Sequence, residues 1–360
     1  MWLLSRLVVV VAMQLIAPLL PASIMLRHDN IGLVAMMGWQ SFAQWDGKWY
    51  RTIVTSGYEF ALDGKQHNVA FFPLFPLVTR AVMTLGLSFE VAGTLVNNLA
   101  LLGAMFIVYF WVKERHGIVA ARWTTAVLAW CPFSLFATII YTEGLFLLLS
   151  TASLRAFDKG QHLWAAVWGA MATATRVNGV VLIPTFLIEA WRKRRGAIAY
   201  VAAIATSTGL LLFSLYCAMR FGDPLAFVHA QRGWQAQTGF NLQVWWKLFT
   251  QDLILRRGWS TAIIALTKVV TVFGGGYLLW RLRFRLSSIV VTYGFCSIAL
   301  IFCSGAITSV ERFIYGTVSL SIALGILLER HQRIGAVVLG LFALSLIYFS
   351  MRFAWGLWVA

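Results

Sequence analysis

Eleven apolar stretches run through this chain, at 7–26, 89–112, 122–140, 143–157, 161–175, 177–191, 197–218, 259–280, 287–305, 313–328 and 334–358. A helix that crosses the hydrocarbon layer needs roughly 20 mainly apolar residues, and backbone exposed to lipid must satisfy its own hydrogen bonds, which excludes open sheet. The pattern predicts an all-α polytopic membrane protein, a bundle of about 11 transmembrane helices forming one domain over residues 1–360. Composition agrees: charged residues make up 12% of the chain, against about 25% in soluble domains, too few to clothe a water-facing surface. The first stretch begins after Arg6 and ends near Pro21-Ala22-Ser23, as a signal peptide would; the ten spans that follow favour an uncleaved anchor.

Charge sets the orientation. If the further apolar stretch from Phe71 to Gly86 does not cross, then Arg6 and the clusters Lys113-Arg115-Arg122, Arg155-Lys159, Arg192-Lys193-Arg194-Arg195, Arg281-Arg283-Arg285 and Arg330-Arg333 share one side. That is the cytoplasmic side by the positive-inside rule. Pro73, Pro76 and Arg80 within that stretch also suit an interfacial or re-entrant helix. The N-terminus is then inside and the C-terminus outside, with two long extracytoplasmic loops, 27–88 and 219–258, the first holding interfacial helices. The net charge of +16 is mostly this orientation signal. No soluble basic domain carries it, so nucleic acid is not a partner.

Several chemistries find no residues. The four cysteines, Cys131, Cys217, Cys296 and Cys303, all lie in apolar runs without a CxxC pair, and no DxD or HExxH pattern calls for a tightly bound metal. Weak dependence on a divalent cation stays open. There is no GxxxxGK[ST] and no GxGxxG for nucleotide phosphates, and no repeat at fixed period.

Ionisable groups at membrane depth are costly and mark function. Here they gather towards the outer face: Asp46, Glu59 and Asp63 in the first outer loop, Glu143, Arg176, Glu311 and Arg312 at outer helix ends, Asp223 and Asp252 in the second long loop. This favours a site at the membrane surface for a substrate with a polar head and a lipid tail. A carboxylate among Trp45, Trp49 and Tyr50 and followed by Gly47 is a candidate base for a hydroxyl. Equally, those rings form an interfacial belt while Asp46 caps a short helix.

The blocks Gln44-Trp45-Asp46-Gly47-Lys48-Trp49-Tyr50-Arg51, Gly57-Tyr58 and His67-Asn68-Val69-Ala70-Phe71-Phe72-Pro73-Leu74-Phe75-Pro76-Leu77 resemble the first-loop signature of the PIG-V mannosyltransferases, membrane glycosyltransferases of the GT-C class. Pro132-Phe133-Ser134 with Tyr141-Thr142-Glu143, Arg176-Val177-Asn178-Gly179, Gly222-Asp223-Pro224 and Glu311-Arg312-Phe313 resemble further blocks in the same order, over roughly residues 39 to 320. The chain looks shorter than the eukaryotic glycosylphosphatidylinositol enzymes, which points to a prokaryotic homologue in the cytoplasmic (inner) membrane with its active site facing outside.

The resemblance implies transfer of mannose from polyprenyl-phosphate mannose, a donor substrate rather than a bound cofactor, to an acceptor hydroxyl on a glycolipid, glycan or protein, with inversion. It gives Asp46 the role of base. Arg176 and Arg312 are candidates to hold the lipid phosphate, with snorkelling or pairing to Glu311 as the plain alternative. Trp45, Lys48, Arg51, His67, Asn68, Glu143, Asn178, Asp223 and Glu311 complete the candidate substrate-binding set. For His67 and Asn68 a turn that closes the loop explains the residues as well; for Glu143, structural pairing does. Two rival functions remain: a transporter or flippase for a lipid-linked saccharide, against which the missing inverted repeat counts, and a non-catalytic assembly subunit of the same fold, against which the intact Asp46 counts.

Overall fold

The computed structural model describes residues 1–20, 35–234, 242–247, 250, 265–304 and 309–359, and every regular element among them is helical. They form two compact units. One comprises Met1–Gly57, Leu74–Leu148 and Leu324–Val359; the other comprises Tyr58–Pro73 and Leu149–Ala323. Four helices are long and apolar enough to cross a membrane: Trp2–Leu19, Phe89–Trp130, Ala197–Phe221 and Gln332–Ala354. They fall on the expected spans 7–26, 89–112, 197–218 and 334–358. Other expected spans are met by shorter helices, among them Glu143–Asp158, His162–Thr175, Leu182–Arg192 and Val318–Arg330, so helix length does not supply the count of eleven. Residues 21–26 of the first span, 259–264 of the eighth, 305 of the ninth, and Asp252 lie outside the described residues.

In the first unit Trp2–Leu19 lies along Gln332–Ala354, where the Trp355 indole donates to the Ala17 carbonyl at 3.0 Å. The Gln14 side chain holds the start of the first loop, donating to Gly38 O at 3.0 Å and to Ser41 Oγ at 2.6 Å while accepting from Gly38 N–H at 2.7 Å. Phe89–Trp130 is two helices joined at Gly117, whose φ of 88° and ψ of 175° suit a residue without Cβ. Its second arm stops at Trp130 instead of reaching residue 140, because Pro132 has no N–H to donate and disfavours the helical region at Cys131 (φ −49°, ψ 134°). Pro132–Ala137 is a 3₁₀ turn, and the chain bends on to Thr142 before Glu143 restarts the helix.

Arg6 corrects one expectation. It is 5% exposed, sits inside the Trp2–Leu19 helix, and its guanidinium lies against Ala129, Ser134 and Thr138. It is an internal group and gives no orientation signal. The Phe71–Gly86 stretch contains the helix Leu74–Met83. At ten residues it is about 15 Å long, half the roughly 30 Å hydrocarbon layer, a length that suits the interface.

In the second unit the strip Tyr58–Pro73 is held by apolar burial: Val69 and Phe72 pack with Phe213, Cys217, Ala226, Phe227 and Ala230. A buried Phe contributes about 1.5–3 kcal/mol. Elsewhere in this unit Glu189, 1% exposed, accepts from the Ser288 and Thr292 hydroxyls at 2.5 and 3.0 Å and pairs with Lys193 at 3.2 Å. Part of the 192–195 basic cluster therefore neutralises a buried carboxylate.

Candidate active site

The candidate residues fall into two groups, one in each unit. In the first unit Asp46 opens the helix Asp46–Ser56. The cap position is held by Trp45, and no side chain caps the helix, so Asp46 does not serve as the cap; its carboxylate sits in the first turn, where the helix dipole favours negative charge. Trp45 adopts φ 53°, ψ −115°, sterically unfavourable for any residue with a Cβ. Such conformations cost about 1–3 kcal/mol and concentrate at functional sites. Its ring meets Trp358 edge-on at 5.1 Å. The strained turn directs Asp46 to half-exposed surface while Gly47 packs beneath, its N–H donating to Gln44 O at 3.0 Å.

Behind Asp46 lies the irregular strip 131–142. Ile140 N–H donates to Phe42 O at 3.0 Å, and the Asp46 backbone N–H approaches the Tyr141 hydroxyl at 3.4 Å. Glu143 is 1% exposed and its Oε2 accepts from Thr142 N–H at 3.1 Å, a structural bond at the helix start. Two amides fix the strip. Asn97 Nδ2 donates to Phe136 O and Ile139 O at 2.8 and 2.7 Å while its Oδ1 accepts from Gly144 N–H at 2.8 Å; Asn98 Nδ2 donates to Thr138 O at 2.9 Å. Gly144 is required here, since a Cβ would stand 2.3 Å from Asn97 O. Lys48 is exposed on the Asp46 helix, whereas Arg51 pairs with Glu90 and lies 5.7 Å over the Phe89 ring. The helix Leu74–Met83 joins this unit through Phe75, whose ring meets Tyr50 edge-on at 5.1 Å.

In the second unit Arg176 follows His162–Thr175 in extended conformation and lies 5.5 Å over the Phe313 ring. Phe313 shares the short helix Val310–Tyr315 with Glu311 and Arg312, both 6% exposed, so the fold brings together two blocks 135 residues apart in sequence. Burial pushes the Glu311 carboxyl above the usual glutamate range, with Lys268 pulling the other way, and Oε2 has no hydrogen-bond partner. Asn178 sits in the 3₁₀ turn Val177–Val181 that follows Arg176.

His67, Asn68 and Asp223 are used locally. His67 Nε2 lies 2.7 Å from Asp63 Oδ1; that hydrogen bond and the Lys65 N–H hold the Asp63 carboxyl below the usual range. Asn68 is fully buried and its Oδ1 accepts from Glu59 N–H at 2.8 Å, closing the loop. Burial raises Asp223, but hydrogen bonds from His229 at 2.6 Å and Leu225 N–H at 2.9 Å outweigh it and leave the carboxyl low. Among the described residues no three His, Cys, Asp or Glu side chains converge as a metal-ligand set.

Glu90, Asn97 and Asn98 carry no role in the sequence analysis, and Tyr141 enters there only as part of a family block. The Asn-Asn pair was a readable signal, because two amides inside an apolar helix need buried partners.

A model of the family described as mannosyltransferase (PIG-V) matches residues 29–218. GPI alpha-1,6-mannosyltransferase 2 of Cricetulus griseus is 27% identical over 159 residues, 41% of this chain and 31% of that protein. The Rattus norvegicus protein of the same name is 27% identical over 160 residues with the same coverage. The match thus spans less than a third of these relatives. Among solved structures, ArnT from Cupriavidus metallidurans bound to undecaprenyl phosphate superposes with a TM-score of 0.56 at 15% identity, covering 93% of this chain and 62% of that one. At this identity the likeness is one of fold, the GT-C-like helical architecture expected from the sequence.

Proposed function

Since the chain belongs to the PIG-V mannosyltransferase family, we propose that it transfers mannose from a polyprenyl-phosphate donor to an acceptor hydroxyl at the extracytoplasmic face of its membrane, with inversion at the anomeric carbon and Asp46 as the base. The observation that carries the reading is the Asp46 turn. The family match includes it, and the carboxylate stands half-exposed in the first turn of a helix, behind a strained Trp45 and in front of a strip fixed by Asn97 and Asn98.

In the proposed step the acceptor oxygen attacks the anomeric carbon as its proton passes to an Asp46 carboxylate oxygen. A new C–O bond forms, and the bond from that carbon to the phosphate oxygen breaks with its electron pair going to the lipid phosphate. Arg176 and Arg312 hold that phosphate, where guanidinium groups stabilise the charge that develops on its oxygens. The Phe313 face beneath Arg176 restrains its swing. Asn178 and Glu311 are assigned to hydroxyls, Glu311 because its buried Oε2 is left without a partner. The undecaprenyl phosphate held by the structurally similar ArnT supports a lipid-phosphate donor. The membrane is read as a prokaryotic inner membrane, and the acceptor as a glycolipid, glycan or protein. Trp45 and Lys48, exposed beside Asp46, are assigned to the substrate, whereas Arg51, His67, Asn68, Glu143 and Asp223 are assigned to the framework because each bonds within its own unit.

Reconstitution into sealed vesicles separates transferase from transporter. With polyprenyl-phosphate mannose labelled in the sugar, the expected result is label on a new acceptor. Label that crosses the bilayer still joined to its lipid phosphate supports the transporter instead. No movement of label in either form supports the assembly subunit.

A further inference from the structure

The buried cation Arg6 has no part in the chemistry proposed above, yet its guanidinium makes five hydrogen bonds within the first unit. Its Nε donates to Ser5 Oγ at 3.3 Å, Nη1 to Ser134 O at 2.7 Å and to Thr138 Oγ1, and Nη2 to Ala129 O at 2.8 Å and Ser134 Oγ at 2.7 Å. It lies eleven residues before Ala17, where Trp355 bonds the same helix, which is about 16 Å along the axis. Arg6 is thus the fifth residue of a helix long enough to span, about 6 Å from its start. An ionised group there is expensive unless it meets backbone that has lost its own partners.

That is what it meets. The helix stops at Trp130, so Ala129 O has no helical donor and takes Ser134 Oγ at 2.9 Å beside Arg6, while Ser134 O lies in the 3₁₀ turn that follows. Irregular backbone at membrane depth is tolerated only where protein satisfies it. Arg6 supplies donors to the near half of the strip, and Asn97 and Asn98 to the far half. The far end of the strip carries Ile140, bonded to Phe42 O, and Tyr141, against the Asp46 N–H. Arg6 thus fixes one end of a short rigid strip whose other end sets the turn that presents Asp46.

We infer that Arg6 is a positioning residue for the transfer reaction, acting through residues 129–142 on the placement of Asp46. The inference rests on Asp46 being the base. Lysine at this position keeps the charge but has one nitrogen, which cannot reach the Ala129–Ser134 pair and Thr138 together. A misplacement of about 1 Å at a reacting group costs on the order of 10²-fold in rate.

The test uses full-length Arg6→Lys and Arg6→Met in detergent and in vesicles. For Arg6→Lys the account expects kcat lowered roughly 10- to 100-fold with donor KM within about twofold, and a melting temperature close to wild type. Arg6→Met removes every guanidinium bond to Ala129 O, Ser134 and Thr138, leaving Ala129 O only the Ser134 hydroxyl, and is expected to melt earlier. A Tyr141→Phe, Arg6→Lys cycle should be non-additive, because both act on the same turn. Hydrogen exchange supplies a readout independent of activity: Arg6→Lys should raise exchange at 131–146 and at 42–47 together. The inference is overturned if both variants retain wild-type kcat, if kcat falls only in step with the folded fraction, if the two losses in the cycle simply multiply, or if 42–47 stays protected while 131–146 opens. Failure of the base assignment is read separately: Asp46→Asn would then keep transfer, whatever exchange reports for Arg6→Lys.

Discussion

Asp46→Asn is expected to abolish detectable sugar transfer while the protein still folds and inserts. Asparagine has the same shape, and the Asp46 contact with Tyr141 runs through the backbone N–H, which the substitution keeps. What it removes is the proton acceptor. Losing a general base costs about 10² to 10⁴ in rate, whereas losing a carboxylate in the first turn of a helix costs only about 0.3–1 kcal/mol of stability. Rate and stability therefore separate by orders of magnitude. Donor binding should change little, because the phosphate is assigned to arginines elsewhere in the chain. The check is the initial rate of transfer from polyprenyl-phosphate mannose set beside the melting temperature of the same preparation. Transfer within a few fold of wild type would remove Asp46 from the chemistry and leave the Asp46 turn as a structural element.

The second large effect is expected at Asn97, and there it is stability that falls. Asn97→Leu fits the volume of an apolar helix but removes a donor from Phe136 O, one of two from Ile139 O, which keeps Tyr141 N–H at 2.8 Å, and the acceptor from Gly144 N–H. A lost buried hydrogen bond costs about 0.5–1.5 kcal/mol, so three of them take a large share of the stability of an ordinary domain. The expected outcome is a lower yield of monodisperse protein and a melting temperature reduced by ten degrees or more. Asn97→Asp keeps the acceptor for Gly144 and should fall between the two. A wild-type melting curve for Asn97→Leu would mean that the strip is not held as described.

These two positions also mark what the sequence can and cannot disclose. Trp45-Asp46-Gly47 stands out because aromatic, acidic and glycine residues meet in a loop between apolar spans. The apolar runs at 89–112 and 197–218 read directly as long helices because burial in lipid needs only a run of suitable length. Partnership is what stays hidden. Arg6 reads as an inner-side charge since its acceptors, Ala129 O, Ser134 and Thr138, lie more than 120 residues away and two of the bonds use main-chain oxygens. Main-chain acceptors are the same for every residue type and leave no trace in composition. Arg51 was equally ambiguous until Glu90 was placed beside it, and Asn68 until its oxygen was found on Glu59 N–H. The end of the second arm at Trp130 was legible in principle, from Pro132, but the apolar residues that follow it masked the break.

The central claim is that a lipid-phosphate sugar is the donor and that its anomeric carbon is attacked directly by the acceptor oxygen. The most direct measurement supplies purified protein with native membrane lipids and polyprenyl-phosphate mannose labelled in the sugar, and determines the mass and anomeric configuration of the labelled product. The expected product is heavier than its acceptor by one hexose residue, with the configuration opposite to that in the donor, from wild type and not from Asp46→Asn. Label that stays on the lipid phosphate, or a product formed only when a nucleotide sugar is supplied, would contradict it.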